Sequence, residues 1–154
     1  SLTYLGSIVT PTGGTVEDVV NRIKKANAIF VQLYSVSRNK CISRNNKLRI
    51  FKSNVKAVLL YGSETCLSNK VINNKLQTFI YRCLRRILNI HWPVIISNRN
   101  IHRLGNEELI ELQIRRRKWR WIGHCLRKPT EAIEIHALEW NPQGSRSVGR
   151  PRGS

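Results

Sequence analysis

The sequence predicts a mainly α fold: a bundle of about five helices behind a short N-terminal β-strand or hairpin, with a disordered basic tail. Three observations lead there. Apolar residues recur every three or four positions over most of the chain, the period of a helix with one buried face. Ser, Thr and Asn stand where such stretches begin, and Gly or Pro where they end. Only the first ten residues, S-L-T-Y-L-G-S-I-V-T, are β-branched and aromatic without helical spacing, and read as a strand or hairpin arm.

Pro11-Thr12-Gly13-Gly14 is turn chemistry. Thr15 then caps a first helix, with Glu17 and Asp18 in its first turn where the dipole favours them. Val16, Val19, Val20, Ile23, Ala26, Phe30 and Leu33 carry its spacing to about Tyr34, and its nearly cancelling charges mark it as core scaffold. Cys41 to Asn46 is a polar break, with Ser43 the cap of a second helix. On that helix Leu48, Phe51, Val55, Val58 and Leu59 fall within about 100° of arc, Arg49, Lys52 and Lys56 form a separate stripe, and Gly62 ends it. A third helix runs from about Asn69 to Leu88, with Leu76, Phe79, Ile80, Cys83, Leu84 and Ile87 on one face and Lys75, Arg82, Arg85 and Arg86 on the other. Trp92-Pro93 interrupts. Ser97 and Asn98 start a short helix that Gly105 ends. Asn106 caps a longer one with Glu107, Glu108 and Glu111 in its first turns. A last short helix covers about 130–140, and the Gly, Ser, Arg and Pro tail from Gln143 reads as disordered.

Charge restricts function more than any motif does. The formal net charge is +18 over 154 residues. Residues 38–127 hold 20 basic and four acidic residues, a net of +16, whereas residues 1–37 hold three and two and residues 128–154 four and three. Such an excess repels itself unless a polyanion neutralises it. No stretch approaches the roughly 18–20 apolar residues of a spanning helix, and the start lacks the pattern of a signal peptide, so nucleic acid is the expected partner and no membrane is. The absence of Met, together with an opening inside a strand, is what a fragment would show.

The expected binding residues follow from that charge. Arg115, Arg116, Arg117, Lys118 and Arg120 interleave with Trp119 and Trp121. Cations neutralise phosphates while indoles stack on exposed bases. On the helical wheel Trp119 joins Leu109, Leu112, Ile122 and Leu126 and reads as core, whereas Trp121 joins Ile110, Ile114 and Cys125 on a second face that packs or binds. Arg82, Arg85 and Arg86 at i, i+3 and i+4 form one patch with no acidic residue from Thr65 to Leu104. Arg49, Lys52, Lys56 and Lys75 add to the basic faces. His124 and Arg127 follow the Trp run, and Arg150 lies in Gly149-Arg150-Pro151, which matches the G-R-P core of minor-groove binders. No metal site is expected, because His91, His102, His124 and His136 never pair with a second ligand on one helical face. The four cysteines are 25, 17 and 42 positions apart and read as reduced, mostly buried thiols. No paired carboxylates or phosphate loop appear, so the chain is not expected to be an enzyme on its own.

Eight strings in order resemble a known family: Y-L-G-S (Tyr4 to Ser7), R-I-x-x-A (Arg22 to Ala26), K-L-R-I-F-x-S-x-V (Lys47 to Val55), V-L-L-Y-G-S-E-T (Val58 to Thr65), R-C-L-R-R-I-L (Arg82 to Leu88), W-x-x-x-I-S-N (Trp92 to Asn98), R-R-x-W-R-W-I-G-H-x-L-R (Arg116 to Arg127) and G-R-P (Gly149 to Pro151). Together they resemble the C-terminal part of the reverse transcriptase of LINE-type (non-LTR) retrotransposons. Cys66 departs from it, standing where relatives usually carry Trp. The resemblance implies an end-of-palm strand and turn over 1–14, with Tyr4, Leu5 and Gly6 in a primer-grip-like strand. It also implies a thumb-like helical domain over 15–90, a post-thumb helical region over 91–140 and a flexible basic tail over 141–154. It implies a chain that grips an RNA–DNA primer–template. The catalytic aspartates and their divalent metal would belong to upstream polymerase domains, no cofactor would lie in this chain, and the location would be intracellular, nuclear or cytoplasmic. Two other readings stand beside it: a standalone basic helical nucleic-acid adaptor or decayed element fragment, and a module that docks a protein partner.

Overall fold

The structure is a computed structural model that describes residues 2–4, 7–9, 15–64, 66, 68–129 and 133–139. It is mainly helical. The backbone of β1 (Leu2–Tyr4) pairs antiparallel with β2 (Ser7–Val9), Leu2 opposite Val9. Helices α1 (Thr15–Gln32), α2 (Tyr34–Arg38) and α3 (Arg44–Ile50) follow. The last continues through a π-helical stretch, Phe51–Lys56, into α4 (Ala57–Leu59). Then come α5 (Lys70–Ile87), α6 (Asn98–Gly105), α7 (Ile110–Cys125) and α8 (Ile133–Glu139). The chain divides into two compact units, Ser1–Lys118 and Trp119–Ser154.

Helix starts follow local chemistry. Ser43, Asn69 and Ser97 are the caps, each accepting a hydrogen bond from the N–H three residues on, at 3.3, 2.8 and 3.3 Å. Each satisfies one of the orphan donors of a first turn. Two helix ends use asparagine in the left-handed region, Asn89 (φ 57) and Asn106 (φ 45). At both, the next residue's N–H returns five positions, Ile90 to the Arg85 carbonyl (2.9 Å) and Glu107 to that of His102 (3.1 Å), which closes a Schellman turn.

Three boundaries differ from expectation. The first helix bends at Leu33 instead of running to Tyr34, although Ser37 N–H still reaches the Leu33 carbonyl at 3.0 Å. Gly105 is the last residue of α6, as expected, and there α6 approaches α5 so closely that a Cβ would stand 3.2 Å from both Leu84 methyls. Asn106 consequently terminates α6 rather than capping α7, which starts at Ile110, and Glu107 and Glu108 lie in the connection. The third is the π stretch. In an α-helix each four-residue step overshoots a turn by about 40°. A wider turn takes that drift back, so Phe51, Val55 and Leu59 stay on one fully buried line.

The core of the first unit is built on α5. Ile72, Leu76, Phe79, Ile80, Cys83, Leu84 and Ile87 are all buried, and they include every residue of its expected apolar face. Val19, Ala26 and Phe30 of α1 are buried in the same core, as are Leu48, Phe51, Val55 and Leu59, Ile101 of α6, and Ile110 and Ile114 of α7. Phe30 meets Phe51 edge-on at 6.3 Å. One polar tie lies beside them: Arg22 pairs with Asp18 at 2.8 Å, donates to the Tyr61 carbonyl at 2.9 Å and reaches Cys66 Sγ at 3.0 Å. In the second unit Cys125 and Ile135 are buried and Lys128 pairs with Glu134.

Cysteine burial is mixed: Cys83 and Cys125 are buried, Cys66 is half-buried and Cys41 is exposed. Burial pushes the Cys83 thiol up from 9.0 to about 12, against the pull of Arg82 and Arg86. Two outcomes follow. Leu84→Ala, at a fully buried position, is expected to cost about 3 kcal/mol in denaturant unfolding. The raised Cys83 value means that the folded state holds its proton longer than the unfolded one. Its stability contribution is therefore complete below pH 9 and lost between pH 9 and about 12, and Cys83→Ala should flatten that part of a stability–pH curve.

Candidate nucleic-acid interface

The expected basic residues divide into those that the fold uses internally and those that it leaves facing outward. Lys56 and Lys52 belong to the first group. The Schellman turn at Asn106 points Glu107 inward, and its side chain is only 1% exposed. Lys56, itself 11% exposed in its side chain, pairs with it, and Lys52 lies 3.5 Å from the same carboxylate while donating to the Asn106 carbonyl at 2.9 Å. Burial lowers the Lys56 pKa, with the Glu107 hydrogen bond pulling the other way. The expectation that Lys56 forms an outward phosphate stripe with Arg49 and Lys52 is thus corrected: its ammonium neutralises a buried carboxylate. Arg49 is exposed.

The patch on α5 is also divided. Lys75, Arg82 and Arg86 are exposed and Arg85 is half-buried. Arg85 donates to Asn98 Oδ1 at 2.7 Å, and Arg82 lies over the Phe79 ring at 5.4 Å. Arg86 alone of the three lines a cleft of about 970 Å³. Across that cleft stand Arg38 and Lys40, after the bend at Leu33, and Lys47 of α3, with Tyr34, Asn89 and His91 among the other lining residues. No Asp or Glu lines it, and among the described residues none of its four cations is ion-paired. Arg38 packs over the Tyr34 ring at 5.6 Å. Sequence reasoning missed Arg38, Lys40 and Lys47 as binding residues. The signal was present, since residues 38–49 carry five cations and no acid, but only folding sets them opposite Arg86.

On α7 the basic run is partly neutralised by Glu111 of its first turn and by Glu108 of the connection before it. Arg115 pairs with Glu111 at 3.1 Å, both exposed, and Arg116 with the half-buried Glu108 at 2.7 Å, while Arg117 donates to the Leu60 carbonyl at 3.3 Å. Lys118 is half-buried. Trp119 departs from the expectation that it is core, and Trp121 takes the packing side of the two roles left open for it. Trp119 is 67% exposed, and Leu109, Leu112 and Leu126 are exposed too. Ile110, Ile114 and Cys125, on the line of Trp121, are buried, and Trp121 is half-buried. The reason is the helix entry. Gln77 of α5 accepts the Ile110 N–H at 2.9 Å, and Glu107 is held under Lys56, which sets Ile110 and Ile114 inward. Arg120, His124 and Arg127 are exposed. Tyr4 lies in β1, and Leu5, Gly6 and Arg150 lie outside the described residues.

Among the described residues no three His, Cys, Asp or Glu converge as metal ligands, and no helix is long and apolar enough to cross a membrane. His102 is instead spent on packing: Nδ1 lies 2.8 Å from the Glu107 carbonyl, Nε2 3.3 Å from Gln77, and the ring meets Tyr81 edge-on.

A model for a domain of unknown function (DUF6451) matches residues 29–61. These include the bend after α1 and three of the cleft cations, Arg38, Lys40 and Lys47. No curated protein and no solved structure matches the chain.

The two classes of cation separate in mutants. Glu107→Gln strips the buried ammonium of Lys56 of its counter-charge and is expected to cost about 3–5 kcal/mol in denaturant unfolding. Arg86→Ala in the exposed cleft is expected to change stability by less than about 0.5 kcal/mol.

Proposed function

We propose that this chain grips nucleic acid and corresponds to the thumb and post-thumb region of a LINE-type reverse transcriptase. It holds primer and template while chemistry is supplied by catalytic carboxylates and their divalent metal elsewhere in the polymerase. The observation that carries the gripping role is the cleft where Arg38, Lys40, Lys47 and Arg86 meet with no acidic neighbour. A structural role for those charges is disfavoured, because cations that serve packing here are matched to carboxylates or carbonyls, as Lys56, Arg22 and Arg117 are. Four like charges held around one cleft repel one another until phosphates and released counterions relieve them. The eight ordered strings from Tyr4 to Pro151 support the polymerase assignment.

The test is binding to RNA–DNA hybrid, duplex DNA and single-stranded RNA across a salt series. Each phosphate neutralised on duplex DNA contributes about −0.9 to the log–log slope. A steep slope is expected, reduced by up to about 0.9 for each of Lys40→Ala, Lys47→Ala and Arg86→Ala. Preference for the hybrid over duplex DNA supports a thumb holding primer and template, and equal binding of all three favours a general adaptor. A flat slope with no binding at low salt removes the gripping role altogether.

A further inference from the structure

Beside the cleft the chain does something that charge alone does not explain. Between α5 and α6, Trp92 is 91% exposed and Ile95 94%, with Val94 exposed as well. Tryptophan is on average well buried, because its indole carries one of the largest apolar areas of any side chain. This one instead follows directly on His91, a residue of the cleft wall, in a turn that the Val94 N–H closes on the His91 carbonyl at 2.9 Å. Trp92 therefore stands one residue from the lining of a basic cleft, with its indole almost wholly exposed.

The chemistry of that pairing selects its occupant. A cationic channel that follows a phosphate backbone, with an aromatic side chain at its edge, is how single strands are held without sequence preference: phosphates take the cations and an unpaired base lies on the ring. In a duplex the base faces are stacked on one another and present no π surface. A protein partner fits the setting less well, because the adjoining wall carries Lys40, Lys47, Arg38 and Arg86, and protein interfaces are depleted in lysine at their centres.

We propose that Trp92 stacks on an unpaired base of a strand whose phosphates lie in the Arg38–Lys47–Arg86 cleft, so that the chain favours single-stranded over fully paired nucleic acid at this site. This rests on the gripping role proposed above.

The experiment compares wild type, Trp92→Ala and Trp92→Phe, using the full chain, for binding to oligo(dT) and oligo(U) strands and to the oligo(dT)·oligo(dA) duplex. Trp92 is almost wholly exposed, so the substitutions leave the core intact. Circular dichroism should be unchanged. Trp92→Ala is expected to weaken single-strand binding by about 5- to 100-fold, the range that stacking on one ring spans. Duplex binding should change little, and Trp92→Phe should keep part of the single-strand affinity. Wild-type binding that Trp92→Ala leaves unaltered, as it would if Trp92, Val94 and Ile95 faced a protein, overturns the stacking role and leaves the gripping role standing. Equal loss on strand and duplex overturns it as well. Failure of the wild type to bind any of the three overturns both.

Discussion

The burial of one face of α5 is the constraint from which the first unit is built. Seven of its side chains lie inside, and α1, α3, α6 and α7 each contribute to the same core. An amphipathic helix of this length has little stability alone in water and gains most of it from packing. Once its apolar face is committed, Lys75, Arg82 and Arg86 must turn outward. Arg86, the one of them that lines the cleft, thus stands on the reverse face of the core.

Acidic residues complete the arrangement by where they are used. Between residues 38 and 127 there are four, and Glu107, Glu108 and Glu111 pair with Lys56, Arg116 and Arg115 around the connection to α7 and its first turns. The exposed pairs add little stability individually. Their effect is to neutralise one part of the surface while the cleft keeps its positive charge. Glu107 is different in kind, because its carboxylate and the Lys56 ammonium are both largely removed from water and tie the π-helical stretch to the turn after α6.

Much of this could be read from the sequence, and what could not has a common cause. The apolar face of α5 and the caps Ser43, Asn69 and Ser97 depend on neighbours within a few residues, so spacing reveals them. The widened turn at Phe51–Lys56 leaves the apolar spacing looking helical and changes only the hydrogen bonding. The use of Lys56 depends on a partner 51 positions away. Lys47 and Arg86 come to one cleft only because α3 and α5 share a core. On α7 the sequence offers two apolar lines of similar weight, and the burial of Ile110 and Ile114 is accompanied by partners outside that helix, Gln77 accepting the Ile110 N–H and Lys56 holding Glu107.

The short helix α2 buries none of its five residues, although with Lys40 it forms a wall of the cleft. What holds it is the bent continuation of α1, the Ser37 bond to Leu33 and the Arg38 contact with Tyr34. Segments with so little buried area open more readily than the core they border. A polyanion that bridges Arg38 and Lys40 to Arg86 would act as a staple, holding this wall against local opening. Ligand concentration would then set the order of this wall through mass action. Amide exchange across 34–40 would slow as the cleft fills, while that of α5 stayed as slow as before.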